Sequence, residues 1–379
     1  SLRRRQRQMC IRDSAAAAGA LELAQRAFWL WANTTGGIGG YSVAIIDGKD
    51  TGYSPAKHLE GYNAIRDEVA ALAMSLGTVQ TLFIMDEMDK DNMVAAPMSW
   101  YSGWGYKSFD RGLVAEFGSA YCVDGMNALD WGLENLPKEI NTVGIIAYAG
   151  EYGDDYAAGV RKAAIANGVT VAWSYVPPVA EFDVAAALGL MLTQPVDAVF
   201  SGAPLSAGPQ IIGGYYQQTG ALPFIFNAAP AYNDAFIAEG FPVRDLYLSG
   251  AVYNMAWVGP FETDTPGHAA MRATWGNFSD SASSYVVAGW SSQYHIKGVL
   301  EAAAKGGDLT RAGIRRAASN VTVESDGMMT PRELGLDGPD PESTITAPDA
   351  SVGSGSATVK ANYAGPTASA YDWSQGPCS

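Results

Sequence analysis

The chain has 379 residues, too many for one ordinary hydrophobic core, and its 48% hydrophobic content excludes a disordered polymer, so a globular protein of two domains is expected. Residues 1–14, SLRRRQRQMCIRDS, hold five Arg and one Asp, so the net charge of −15 leaves 19 basic against 38 acidic side chains, or −19, on the remainder. So acidic a body argues against nucleic acid and anionic membrane as partners, and no run of about 18 apolar residues is present to span a bilayer.

The basic start is either foreign to the protein or a disordered tail, and it lacks the apolar segment of a secretory signal, so no export signal is expected within this chain. A helix follows over Ala15–Asn33, its apolar face carrying Leu21, Ala24, Phe28 and Trp31, and it stops at Thr34-Thr35-Gly36-Gly37. The pattern then predicts a strand Tyr41–Ile46, a helix Pro55–Asp67, a strand Val69–Met74, a turn Ser75–Thr78 opening a helix Val79–Asp91, and a strand Met93–Ala96. The loop Pro97–Gly105, PMSWYSGWG, is dense in aromatic and hydroxyl groups, and a helix Ala120–Leu136 comes after it.

Thr142–Val171 reads as a complete βαβ unit. Val143–Ala147 is continuously apolar, as a parallel strand covered on both faces must be, and the next segment carries a helical apolar stripe closed by Asn167-Gly168. Between them lies Tyr148–Asp155, at the carboxyl end of a parallel strand, where ligands bind in open α/β sheets; Tyr148 and Tyr152 are therefore expected near the functional surface. Alternation continues with strand Thr170–Tyr175, helix Val184–Leu192 capped by Asp183, strand Ala198–Phe200, helix Pro209–Gln218 and strand Phe224–Phe226. A strand Leu246–Val252 and helices Gly267–Trp275, Ala288–Lys305 and Thr310–Ala318 come next, and beyond Met328 a Pro-, Gly- and Ser-rich tail holds one strand, Ala357–Asn362.

Enzymatic signatures are absent. GGIGGYS at Gly36–Ser42 lacks the sixth-position Gly of a dinucleotide loop and follows a helix rather than a strand; no nucleophile elbow, Walker loop or paired-Cys metal site occurs. His58, His268 and His295 are scattered and read as surface or satisfied core residues rather than catalysts. No cofactor and no metal are expected. Cys122 and Cys378, the cysteines outside the basic segment, form either one disulfide or two unrelated thiols; the disulfide is the expectation adopted, pinning the tail to the helix Ala120–Leu136.

Five phrases, in order and spacing, carry a resemblance: ANTTGGIGGYSVAIIDGKD, MSLGTVQ, PMSWYSGWG, EYGDDYAAGVRKAA and GGDLTRAGIRRAASN. Together they resemble the branched-chain amino-acid type of substrate-binding protein within the type 1 periplasmic binding fold. The resemblance implies an α/β protein of two Rossmann-like lobes with parallel central sheets, joined by three crossovers and closing on a small polar ligand. Crossovers are then expected near Asn141, Gly250 and Gly327, giving lobe one as residues 15–140 with 251–327, lobe two as 141–250, and 328–379 as a tail partly returning to lobe two. It also implies a strand before Ala15–Asn33; residues 1–14, with four closely spaced arginines, cannot supply a buried one, so the first strand of lobe one is expected to be missing.

For the site, the resemblance implies a first ligand loop at Ser75, Leu76, Gly77 and Thr78, and a second at Met98, Ser99, Trp100, Tyr101 and Ser102, with Trp104 adding to an apolar wall. In lobe two, Tyr148, Tyr152, Ala203, Asn227 and Ala229 match ligand-facing positions. Amino-acid binders of the family also place a carboxylate there for the ligand's ammonium group. Here Phe226–Pro230 reads FNAAP and Ser201–Leu205 reads SGAPL, neither with an acid, so Asp154 or Glu151 would have to substitute; otherwise amides, short acids or aromatic acids are the open classes. The implied role is a non-catalytic, monomeric receptor, periplasmic or extracellular, that delivers its ligand to an ABC permease. A ligand-sensing regulator of the same fold is the alternative.

Overall fold

The structure, a computed structural model, describes residues 19–279, 282–353 and 357–378. The basic segment 1–14 and the question of a first strand lie outside the described residues. In chain order the strands are β1 Leu72–Leu76, β2 Ala95–Met98, β3 Thr142–Ala147, β4 Thr170–Tyr175, β5 Ala198–Gly202, β6 Phe224–Asn227, β7 Val252–Ala256, β8 Val321–Val323, β9 Arg332–Leu334, β10 Ser343–Pro348 and β11 Ala357–Tyr363. By packing, the chain divides into an N-terminal unit, the described part of 14–118 with Thr263–Pro339, and a central unit, Ser119–Glu262 with residues 340–378.

The first of these divisions, before Ser119, has a physical reason. The helix Tyr121–Asn135 packs on the helix Glu151–Asn167 so closely that a Cβ on Gly125 or on Gly159 would collide with the other helix's backbone. That contact ties residues 121–135 to the central unit.

The central unit is built on one seven-stranded sheet, ordered β11-β10-β7-β6-β5-β3-β4. From β7 to β4 every pairing is parallel, while β10 runs antiparallel to β7 and to β11. An α/β fold with a mainly parallel sheet is what the alternating pattern predicted. Two elements differ from expectation. Leu246–Val252 is not a strand: Arg244–Tyr247 is helical, and the strand starts only at Val252, after Gly250 turns the chain at φ +82°. The tail supplies β10 as well as β11, which its polar composition concealed.

Asn127 fastens that tail. Its Nδ2 donates to Pro341 O (2.8 Å), Ser343 Oγ (2.9 Å) and Tyr363 O (2.9 Å), and its Oδ1 accepts from Gly365 N (2.9 Å). Asp130 accepts from Thr367 N (2.7 Å) and Thr367 Oγ1 (2.9 Å). Cys122 and Cys378 are joined in a disulfide, with Cα atoms 6.2 Å apart.

In the N-terminal unit the ladders are short: β1 pairs β2 in parallel, and β8 pairs β9 antiparallel. Both β1 and β2 start two or three residues later than the apolar runs suggested, so Ser75 and Leu76 belong to the strand and the turn shrinks to Gly77. Tyr41–Ile46 is no strand. Beyond an isolated bridge from Ile38 to Tyr41, the segment is held by Asn33, whose Nδ2 donates to Val43 O and whose Oδ1 accepts from Val43 N, both at 2.8 Å, in place of ladder bonds. An aromatic core covers this region: Phe28 meets Trp290 and Tyr294 edge to face at 5.1 and 4.9 Å.

Candidate ligand-binding site

In the N-terminal unit, Gly77 stands between β1 and the helix Thr78–Asp91 at φ +98°, a conformation that favours glycine. It provides no side-chain cap, and the helix has no acidic residue in its first turn. The Thr78 hydroxyl, in a residue only 4% exposed, has no hydrogen-bond partner among the described residues, and neither has Gln80 Oε1. Ser75 is different: its hydroxyl meets Thr81 Oγ1 at 2.7 Å and His58 Nε2 at 3.0 Å, so it is consumed in holding the strand to the helix. Burial lowers the His58 pKa, which favours the neutral ring at that contact.

Met98 ends β2, and the aromatic loop follows. Ser99 Oγ accepts from Trp104 Nε1 at 3.2 Å. Tyr101 and Trp104 pack edge to face at 5.7 Å, Tyr101 also against Phe109 at 5.5 Å, inside a core cluster with Leu72, Ile84 and Met88. Both rings therefore belong to the core of this unit. Trp100 turns the other way, onto Phe117 at 5.1 Å, and Ser102 is buried in the short 3-10 helix Ser102–Gly105.

In the central unit, Tyr152 is the second residue of the helix Glu151–Asn167 rather than part of a loop. Its ring packs on Tyr148 at 5.2 Å and on Tyr121 at 4.7 Å, and its hydroxyl lies 3.4 Å from where a Cβ on Gly202 would stand. Ala203 and Ala229 are buried small residues at the carboxyl ends of β5 and β6. Asn227 ends β6 and donates through Nδ2 to Asn254 Oδ1 at 2.9 Å. Of the two acids considered as substitutes, Asp154 is exposed and accepts from Gly150 N at 2.9 Å, whereas Glu151 keeps one carboxylate oxygen shielded from water with no donor among the described residues.

Two groups escaped the sequence reading. Asn254 was hidden because a polar residue inside a strand gives no periodic signal. His295, read as surface or satisfied core, is 1% exposed on the helix Ser284–Lys305 with no hydrogen-bond partner at either ring nitrogen among the described residues. Burial, with the Arg332 charge adding, pushes its pKa down to about 3. For metals, Cys122, Cys378 and Asp155 gather their ligand atoms within 4.8 Å, but the two sulfurs are already bonded to each other. No described helix is long and apolar enough to cross a membrane.

Several solved structures share this fold. A fatty acid ABC transporter substrate-binding protein from Thermomonospora curvata matches with a TM-score of 0.82 at 22% identity, covering 94% of this chain and 90% of that one. A branched-chain amino acid ABC transporter protein from Thermus thermophilus with bound valine gives 0.75 at 13%, covering 93% and 94%. An ABC transporter solute binding protein from R. palustris in complex with benzoate gives 0.71 at 14%, covering 92% of each. At such identities the likeness establishes the fold alone. No curated protein matches the chain in sequence. The model of one family, described as periplasmic binding protein, matches residues 13–345, and the chain belongs to that family of binding proteins.

Proposed function

We propose that the protein is an extracytoplasmic, monomeric solute receptor that captures a small carboxylic acid and hands it to an ABC permease. The observation that carries this reading is the start of the helix Thr78–Asp91. Its first backbone N–H groups have no intrahelical acceptor, its dipole favours an anion, no acid of its own competes there, and the Thr78 hydroxyl is buried without a partner. The ligands named for the three similar structures, a fatty acid, valine and benzoate, share one group, the carboxylate. In the N-terminal unit Leu76, Gly77, Met98, Ser99 and Trp100 would border the carboxylate; in the central unit Tyr148, Tyr152, Ala203, Asn227 and Ala229 are the positions proposed to face a ligand.

Thermal-shift screening against short, branched and aromatic carboxylates tests it, since a ligand at 100 times its Kd adds about 2.7 kcal/mol of stability. Thr78→Val should weaken binding by about 1 to 2 kcal/mol, and Tyr152→Ala by about 1 to 3 kcal/mol. No shift with any carboxylate, or full affinity in Thr78→Val, would sink the reading.

A further inference from the structure

The helix Ser284–Lys305 buries a run of polar side chains, and the chain satisfies four in succession. Ser291 Oγ donates to Ala288 O at 3.3 Å and Ser292 Oγ to Gly289 O at 2.9 Å. Gln293 is bonded at both ends, accepting from Trp29 Nε1 and donating to Ala73 O, each at 2.9 Å, and the Tyr294 hydroxyl donates to Asp326 at 2.9 Å. His295 comes next and breaks the series. A neutral imidazole carries one donor and one acceptor, and here both are buried and unmet by any described residue. Leucine, an apolar side chain of similar volume, would carry no such desolvation cost, so packing alone does not account for a histidine.

Its surroundings are aromatic. The imidazole lies 6.0 Å from the Phe117 ring, which in turn meets Trp100 at 5.1 Å. The neighbouring Arg332 is already held by Glu116 at 2.8 Å and by Gly338 O at 3.1 Å, so it is committed elsewhere. Aromatic rings beside one neutral donor–acceptor group match an unsaturated molecule that carries a polar group.

We propose that His295 is a ligand-recognition group, hydrogen-bonding the oxygen or amide of a bound small molecule whose unsaturated body meets the Phe117 ring beside it. The inference deepens the carboxylic-acid reading and rests on it for the ligand's other end. The test uses full-length protein labelled with 15N-histidine, with His295 ring resonances assigned by elimination through His58→Gln and His268→Gln. Benzoate, benzamide and benzyl alcohol are the probes. At least one should move the His295 ring resonances saturably, and His295→Gln should bind that probe about tenfold more weakly. Benzoate that stabilises the protein while the His295 ring stays silent to all three probes overturns the inference and leaves the carboxylate reading standing. No shift with any carboxylate of the thermal-shift screen, with benzamide or benzyl alcohol moving the ring, overturns the carboxylate reading and leaves His295 standing. Ring silence toward all three, or unchanged affinity in His295→Gln, removes His295 from recognition whatever else binds; if the Gln variant does not fold, the wild-type resonances decide.

Discussion

The two units satisfy their backbone in different ways. In the central unit the backbone groups are met by a seven-stranded ladder running from β4 to β11. In the N-terminal unit, side chains take over that work: Asn33 clasps Val43, Gln25 and Gln293 both donate to Ala73 O, and Arg311 donates to the carbonyls of Arg66 and Val69. A ladder is insensitive to sequence, because any non-proline residue supplies its N–H and C=O. A side-chain clasp depends on one residue. Substitutions at polar positions should therefore harm the N-terminal unit locally, whereas the central unit should fail mainly where its tail is tied down.

The largest break in that contrast is the disulfide. Cys122 and Cys378 are 256 residues apart, so reduction, or Cys378→Ser, should cost about 5 kcal/mol in the chain-entropy account. A urea midpoint unmoved by a dithiol would show that Asn127 and Asp130 suffice without it. Next in size is pH. Burial first, then Asp155, pushes Asp124 in the central unit up to about 7. With a folded pKa above the unfolded value near 3.9, its contribution is complete below about pH 4 and is lost at about 1.4 kcal/mol per unit as pH rises toward 7. His295, held near 3 in the folded state, has the opposite sign: its contribution is complete above about pH 6.5 and is lost as pH falls toward 3. Asp110, also buried and raised to about 7, opposes His295 within the N-terminal unit. Asp124→Asn should thus flatten the wild-type decline in urea stability between pH 4 and 7, and His295→Phe should steepen it; identical pH profiles for all three proteins would refute the assignment. The smallest expected effect is Asn33→Ala, about 1 to 2 kcal/mol, read as faster amide exchange confined to the segment around Val43. Exchange unchanged at Val43 would mean the clasp is dispensable.

The centre of the parallel sheet was legible because a strand buried on both faces must be an unbroken apolar run; Val143–Ala147 stands within a residue of its expected limits. Tyr41–Ile46 misled for the same reason in reverse. It has the composition of a strand, and composition does not reveal whether a ladder partner exists. β10 was concealed because its neighbours are Pro, Gly and Asp. Of the candidate site, it could be read that Gly77 and Tyr152 stand near the junction of a strand and a helix, since that succession is a local pattern, though not that Tyr152 is already helical. Which hydroxyls are already spoken for could not: Ser75 and Thr78 look alike in sequence, and only tertiary contact with His58 and Thr81 separates them. Tyr101 and Trp104 were indistinguishable from Trp100 for want of the same information.

Because the ribosome releases the chain in order, β7 is made well before β10, and during that interval β7 is an edge strand with one row of backbone groups unpaired. Cys122 likewise stays a free thiol until Cys378 emerges. That side of the sheet is completed only once β10 and β11 have been made, and until then β7 is open to edge-to-edge association. Any truncation ahead of Ser343 would make that interval permanent.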